Sequence, residues 1–370
     1  MTNNNTAFRP IGVTGLTHWG GRISEEYLTE LQGDRWRRVV REMLPDPMIG
    51  GILFAIEMLI RQVDWQITAF STDATDTDAA AFVESCLHDM REPWSLTLAE
   101  MLSFLPWGWA PLELVYKLRN GLKTDDALRN SRYDDGKVGW ASWSIRAQDT
   151  LLNWEFNDAG DPIGFVQQAP PTYAPTFIPL SKCLHLKTSA RKGNPEGVSV
   201  LRACYRPWYF KKHIENIEAI GVERDLAGLP VAEVPAELLS PARTAEQTAI
   251  FNAVRDIVVN IRRDDQEGIV WPSDRDAQGN QLYTLKLLST GGTRQFDTGK
   301  IIDRYNTQIA MAVLADFMML GHQATGSWAL ASSKTSLFST ALGAWLDTIC
   351  QAVNTQAIPQ LLRMNGMDAS

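Results

Sequence analysis

Residues 297–328 read DTGKIIDRYNTQIAMAVLADFMMLGHQATGSW, and a second long, mostly apolar stretch follows to Met364. Ile301, Tyr305, Ile309, Val313, Phe317 and Leu320 recur at helical spacing, which predicts one amphipathic helix running to Leu320. Gly321-His322-Gln323-Ala324-Thr325-Gly326-Ser327-Trp328 then interrupts it with small, polar, glycine-bearing residues around one tryptophan. The segment holds none of the partners a catalytic centre needs. A loop between two long helices suits a moving or contact-making part of a machine better than an active site.

Upstream, the pattern changes twice. Residues 229–288 read as a compact unit of strand Leu229–Val234, helix Thr244–Arg263, strand Gly268–Trp271, a turn at Asp276–Asn280 and strand Leu282–Leu288. A helix from about Val198 to Asp225 precedes it, with Pro207 near its first turns. Earlier still, helices alternate with short strands. Helical character covers 23–43, and Asp46-Pro47 is a strong start signal for a helix whose apolar face is Ile49, Ile52, Leu53, Ile56, Leu59, Ile60 and Val63. Trp65-Gln66-Ile67-Thr68 alternates as a strand does. Helices at 79–90 and 94–104, a turn at Pro106–Pro111 and a strand at 112–118 follow, then a polar loop over 119–138. Short strands at 143–146, 154–156, 165–168 and 183–187 complete an α+β region with a mainly antiparallel sheet. Residues 1–22 read as a flexible arm.

Composition narrows the function classes. The chain has 370 residues, 45% hydrophobic and 21% charged, with 13 tryptophans, which points to extensive apolar burial, partly between subunits. The net charge of −8 argues against a static grip on nucleic acid, which calls for a basic surplus. Cys86, Cys183, Cys204 and Cys350 have no paired spacing and read as buried thiols of a reducing compartment rather than zinc ligands. The first ten residues lack the order of a signal peptide, and the longest apolar run, Ile309–Leu320, is too short to span a bilayer. The expectation is a protein without membrane contact, made in the cytoplasm.

Chemistry-bearing motifs are absent. His18, His88, His185, His213 and His322 are scattered, so no metal site is expected, and His185 reads as structural. No nucleotide-binding or nucleophile-elbow motif occurs, and Gly193–Gly197 reads as a turn. Glu113 and Glu155 lie on strands, but nothing brings them together as a glycosidase pair. No catalytic residue and no cofactor is expected. Lys182, Lys187, Arg191 and Lys192, and then Arg202, Arg206, Lys211 and Lys212, form small basic clusters. Solvated faces or ion-pair partners are their ordinary use; a surface meeting phosphate or an acidic neighbour is the functional one.

In their order, several stretches resemble the portal proteins of tailed bacteriophages. Asp46-Pro47-Met48-Ile49 leading to Trp65 is similar to the family's early helix and tryptophan strand. Leu98–Tyr116 is similar to its helix, "G-[WF]-x-x-x-E" and strand. Gly197-Val198-Ser199-Val200-Leu201-Arg202 is similar to its "G-x-S-x-L-R" entry to a stem helix, and Gly228-Leu229-Pro230 to the step after it. The resemblance implies a portal fold: an arm (1–24), an α+β wing (25–197), a first stem helix (198–226), a small clip (227–294), a second stem helix (295–320), a tunnel loop (321–333), and a long wing helix with a minimal crown (334–370).

It further implies a ring, of twelve copies in the family, at one capsid vertex. Double-stranded DNA passes through such a ring during packaging and ejection, and terminase, major capsid protein and head-tail adaptor dock on it. On that map His322, Gln323, Thr325, Ser327 and Trp328 face DNA. Arg262, Arg263, Asp264 and Asp265 face the motor or adaptor. Ile301, Tyr305, Ile309, Val313, Phe317 and Leu320 pack stem against neighbouring stem. An acidic average charge suits a tunnel through which DNA slides. Another ring-forming tail or baseplate protein, or an enzyme acting on nucleic acid or polysaccharide, are the alternatives.

Overall fold

The computed structural model describes residues 12–123, 126, 129–189, 191–227, 229–260, 270–288, 297–315 and 328–367. In chain order the elements begin with β1 (His18–Trp19), β2 (Arg22–Ile23), α1 (Gly33–Met43), α2 (Pro47–Arg61), α3 (Ala74–His88), α4 (Trp94–Met101) and α5 (Phe104–Trp107). Six strands follow: β3 (Trp109–Asn120), β4 (Asp134–Ile145), β5 (Leu151–Phe156), β6 (Pro162–Gln167), β7 (Thr176–Pro179) and β8 (Cys183–Lys187). Then come α6 (Tyr205–Ala227), β9 (Leu229–Glu233), α7 (Ala245–Asn260), β10 (Thr284–Leu288), α8 (Thr298–Ala312), α9 (Trp328–Ala352), a π-helical turn at Val353–Ala357, and α10 (Ile358–Met364). The α+β class is as expected. Residues up to Trp208 and from Asn306 onward form one compact unit, and Tyr209–Tyr305 forms a second. Among the described residues no single helix is long and apolar enough to cross a membrane.

In the first unit the start of α2 follows the expected logic. The Asp46 carboxylate accepts from the amides of Met48 at 2.9 Å and Ile49 at 3.2 Å, and Pro47 needs no partner at the first helical position. Ile49, Ile52, Ile56 and Ile60 are buried along one face, while Leu59 and Val63, expected with them, are exposed.

The centre of this unit is an antiparallel sheet ordered β4-β3-β8. Its two outer strands are finished by side chains from the C-terminal segment. Gln356, in the π turn, accepts from the amide of His185 at 2.7 Å and donates to its carbonyl at 3.4 Å. Asn365, just past α10, accepts from the amide of Val138 at 2.8 Å and donates to its carbonyl at 2.9 Å. A side-chain amide carries the donor and acceptor of a peptide group, so each residue acts as one unit of a missing strand. The π turn supplies the register shift that aims Gln356.

Indoles fill the space beneath. Trp140 and Trp143 meet edge-on at 4.9 Å, Trp143 and Trp94 at 5.8 Å, and Trp94 and Trp65 at 5.6 Å between ring centroids. A smaller core of Trp109, Trp154, Phe165 and Ile178 lies under the second sheet, ordered β5-β6-β7. Between α3 and the β3–β4 hairpin, Lys117 and Asp89 form a buried ion pair at 3.1 Å, their side chains 4% and 2% exposed. Lys117 also donates to the carbonyls of Asp89 and Asn130, and Asp89 accepts from Ser131 and the amide of Arg132. Burial alone would raise the Asp89 pKa, but these hydrogen bonds outweigh it and hold the carboxyl below its ordinary value.

Several expectations are corrected. The helix expected to run to Leu320 ends at Ala312, where Leu314 takes φ 59, a left-handed backbone no helix can continue through. Residues 316–327 lie outside the described residues, with Phe317 and Leu320 among them. The last long helix starts at Trp328 rather than 334, because after Gly326 no glycine or proline occurs until Gly343 and alanine and leucine follow at once. Trp328 therefore belongs to a helix. The helix expected from Val198 begins at Tyr205, after a 3-10 turn at Val200–Arg202, so Pro207 sits in its first turn and no interior bond is lost.

The expected polar loop over 119–138 is shorter: 119–120 belong to β3 and 134–138 to β4, and the described residues between them carry no helix or strand; β7, Thr176–Pro179, is too short to show alternation in the sequence. Val270 and Trp271 carry no strand, and Gly268 lies outside the described residues. Trp65–Thr68 pairs with nothing among the described residues. His18–Ile23 is a hairpin rather than free arm, and helix replaces the expected 23–43 span only from Gly33. Cys350 is exposed, whereas Cys86, Cys183 and Cys204 are buried thiols.

Truncating Gln356 or Asn365 to alanine should each cost about 1–2 kcal/mol, because each leaves a strand amide without its partner. The two sites lie on opposite edges, so the double variant should show the sum in urea unfolding followed by tryptophan fluorescence. A double variant no worse than either single one would mean the edges are not held independently.

Candidate ring-forming and channel surfaces

The two stretches that carry the sequence resemblance meet in space. Gly108 ends α5 with φ 92, and a Cβ there would lie 2.5 Å from the carbonyl oxygen of Glu196 and 2.9 Å from the amide of Ser199. Only glycine fits a left-handed turn backed by another chain segment. Ser199 donates to the carbonyl of Pro106 at 2.5 Å and accepts from the amide of Leu201 at 2.9 Å, capping the turn that leads into α6. Leu201 is buried, and Arg202 grips both carboxylate oxygens of Glu26 at 2.5 and 2.8 Å. Each motif residue thus has a mechanical use in fixing where the long helix leaves the sheet.

The N-terminal segment is pinned to the same place. Glu25 accepts from the amide of Thr17 at 2.7 Å and from Lys192 at 2.7 Å, and those bonds keep its pKa low. Gly21 accepts from the amide of Trp154 at 2.9 Å, so closely that a Cβ at Gly21 would overlap the Trp154 carbonyl. The His18 ring stacks on Phe156 at 4.1 Å.

The basic clusters take the ion-pair use where their partners are described. Lys182 pairs with Glu113 at 2.6 Å, Lys192 with Glu25, and Arg202 with Glu26. Glu113 is also held by Arg146, at 2.5 and 2.7 Å. Burial pushes the Glu113 pKa up, and its two cations more than reverse this, which disqualifies it as a proton donor. Glu155 sits in the other sheet, on β5, bonded to Asn153, so the two glutamates are not brought together.

His185 is structural, as expected. Its ring nitrogen Nε2 lies 2.8 Å from the Pro195 carbonyl, and burial lowers its pKa from 6.5 to about 3. Because the folded value is depressed, the unfolded chain binds the proton first, and stability falls as pH drops below the ordinary histidine value. Among the described residues no group of three or more His, Cys, Asp or Glu side chains could hold a metal ion.

The long helices supply surfaces. In the second unit α6 and α8 run antiparallel: Phe210 stacks on Tyr305 at 6.2 Å, and about two turns further along the same helices Glu218 meets Thr298. In the first unit the Cys204 thiol meets the Ile309 carbonyl at 3.7 Å, and Ile309 and Val313 are buried in the chain's own core with Leu201 and Trp208. Ile301 and Tyr305 are half-buried. An exposed stripe lies elsewhere along α6. Tyr209, His213, Ile217 and Ile220 follow one another at helical spacing, with Ile217 61% and Ile220 49% exposed. The sequence shows that spacing, but α6 is apolar on several faces, so its outward stripe could not be told from its inward one.

The remaining named residues fall outside this description. His322, Gln323, Thr325 and Ser327, and Arg262, Arg263, Asp264 and Asp265, lie outside the described residues.

Replacing His185 by glutamine should flatten the acid side of the stability profile between roughly pH 6.5 and 4.5, by up to about 1.4 kcal/mol per pH unit. Urea midpoints measured across that range test it; an unchanged slope would mean that His185 is protonated in the folded chain.

The family model for the portal protein of Mu bacteriophage matches residues 37–370. No curated protein matches the chain. Among solved structures, a chain of the virion of the native gene transfer agent (GTA) particle is 12% identical, with 88% of this chain and 87% of that chain covered and a TM-score of 0.47. A chain of the neck of the empty GTA particle computed with C6 symmetry is 11% identical over 88% and 87%, with a TM-score of 0.45. One from the neck of the native GTA particle computed with C12 symmetry is 12% identical over 85% and 81%, with a TM-score of 0.47. Since the match spans the chain from α1 onward, the protein belongs to the bacteriophage portal family represented by phage Mu, with a portal or connector role, and is a structural protein rather than an enzyme.

Proposed function

We propose that the chain assembles into a closed ring at one vertex of a virus-like capsid and forms the channel through which double-stranded DNA enters and leaves. The observation that carries this is the family match over 37–370. The antiparallel α6/α8 pair supports it, since two long helices bracket the separate unit Tyr209–Tyr305. In this reading residues 25–197 are the wing, 198–226 and 295–320 the stem segments, 227–294 the clip and 321–333 the tunnel loop. Residues 334–370 close the wing.

A closed ring uses a different surface of each subunit toward its two neighbours. The outward stripe Tyr209, His213, Ile217 and Ile220 suits one side of that contact, because an apolar stripe on a helix in water gains by meeting another chain. Ile309 and Val313 are already spent in the chain's own core, so among the described residues of the sequence-derived stripe ring packing falls to Ile301 and Tyr305. His322, Gln323, Thr325, Ser327 and Trp328 would line the channel. Arg262, Arg263, Asp264 and Asp265 would meet the packaging motor and later the adaptor. The net charge of −8, with basic side chains engaged by carboxylates, suits DNA that slides without being held.

Electron microscopy of the purified protein, with mass measurement, should show rings with a central channel. Replacing Ile217 and Ile220 by aspartate should abolish those rings while leaving the subunit's own stability within about 0.5 kcal/mol, as for surface substitutions. Rings that persist in the variant would remove the α6 stripe from the interface. Deleting residues 322–328 should leave rings intact and impair DNA packaging or retention in particles; normally filled particles would remove the tunnel-loop assignment.

A further inference from the structure

After α2 ends at Arg61, residues Asp64–Phe70 belong to no helix and no ladder. Their burial nevertheless alternates with the period of a strand: Trp65, Ile67 and Ala69 are half-buried, and Asp64, Gln66, Thr68 and Phe70 are exposed. Trp65 and Ile67 anchor the segment to the core. No backbone hydrogen bond reaches Asp64–Phe70 from any described residue. The segment is held by its inner side chains and, among the described residues, neither edge is paired, the feature that proteins ordinarily cover or blunt.

Three further observations show what would cover it. Two hollows of mixed polar and apolar lining flank the segment. One of about 230 Å³ lies by Trp65, Trp94 and Val353, and a wider one of about 570 Å³ by Phe70, Ala79 and Val83. The indole Nε1 atoms of Trp65 and Trp94 are buried without an acceptor. Phe70, at the end of the segment, is 95% exposed and lines the wider hollow.

Charge then selects the partner. Between Gln62 and Met90 the sequence has no lysine or arginine, and Asp64, Asp73, Asp76, Asp78 and Glu84 have no cationic partner among the described residues. Asp64 lies on the segment and Asp76 and Glu84 line the flanking hollows, so the site repels an acidic segment and draws a basic one. A second copy of this chain, net −8, is a poor match by charge.

We propose that Asp64–Phe70 is an acceptor strand, to which a different protein adds an extended, net-basic segment by backbone pairing, its apolar side chains entering the flanking hollows. This site does not depend on the channel reading, and its test reads no ring and no DNA.

The probe is a fluorescein-labelled decapeptide of alternating lysine and valine, titrated into the full-length protein in its native assembly and followed by anisotropy. Saturable binding is expected. Exchanging lysine for glutamate, or N-methylating alternate residues in the register that pairs, should weaken it at least tenfold. Hydrogen exchange should slow on binding at Asp64–Phe70. The variant Asp73→Asn, Asp76→Asn, Asp78→Asn should keep the fold, weaken binding at least threefold and flatten its salt dependence. Equal binding of the peptides N-methylated in either register would overturn the proposal, since no strand pairing would be involved. So would protection that appears elsewhere, or amides at Asp64–Phe70 that exchange slowly before any peptide is added. That last result would mean another copy of the chain already fills the edge.

Discussion

Everything in the first unit hangs on how the β4-β3-β8 sheet is closed. Three strands leave two open edges, and an open edge in a protein built to assemble invites the wrong partner. Gln356 and Asn365 close both from one continuous C-terminal segment, each offering the donor and acceptor of a peptide group to one residue of the edge strand. The segment that completes the sheet is thus also the one that covers it: Leu361, Leu362 and Ala357 are buried in the same core as Leu112, Leu114 and Leu184. The π turn is the device that lets one helical rod do this. A regular helix would carry Gln356 past His185; a turn wound by one extra residue aims it back.

A second constraint follows from the first. Once the sheet is fixed, the start of α6 is placed by the turn at Gly108 and by Ser199, which bonds the carbonyl of Pro106 and caps the turn at Leu201. Glu26 then locks Arg202, and Glu25 locks Lys192, so the N-terminal hairpin acts as a strap across the exit of the helix. These ion pairs are partly exposed, and singly each contributes little. Their effect is geometric: they join three chain segments that are far apart in sequence. A long helix used as a structural member needs its root held in this way, because a small error in angle at the root grows along the 23 residues of α6.

What could be read from the sequence divides along the same physical line. Signals that act locally were legible. Asp46-Pro47 marked the start of α2, the isoleucines at helical spacing marked its buried face, and Gly108 marked a turn. Signals that depend on distant partners were not. Gln356 and Asn365 look like ordinary polar residues until the strands they finish are placed 171 and 227 residues away. Lys117 and Asp89 look solvent-facing until the hairpin buries them together. The alternation of Trp65–Thr68 matches the alternation of burial along the segment, but it could not reveal that no described residue pairs with it, which only a fold shows. The stripe ending at Leu320 was read as one face of one helix. Its period is real as far as Ala312, but periodicity says nothing of the backbone reversal at Leu314, nor of whether an apolar face meets its own core or another subunit.

The disposition of charge brings these points together. Basic side chains near the root of α6 are taken up by carboxylates of the N-terminal strap and of β3, while Asp64, Asp76 and Glu84 beside the open segment have no cationic partner among the described residues. A protein that held nucleic acid would do the reverse, freeing its cations and pairing its acids. Here the cations do architectural work within the subunit. That leaves the described surface with two kinds of feature that another polypeptide can recognise: an apolar helical stripe on α6 and an acidic, unpaired strand after α2. The stripe is self-complementary in chemistry and suits contact between like subunits. The strand is not, since its own charge repels its copies. One surface therefore favours assembly of the chain with itself, and the other favours a protein of opposite charge, a division suited to a subunit that must both close a ring and join that ring to something else.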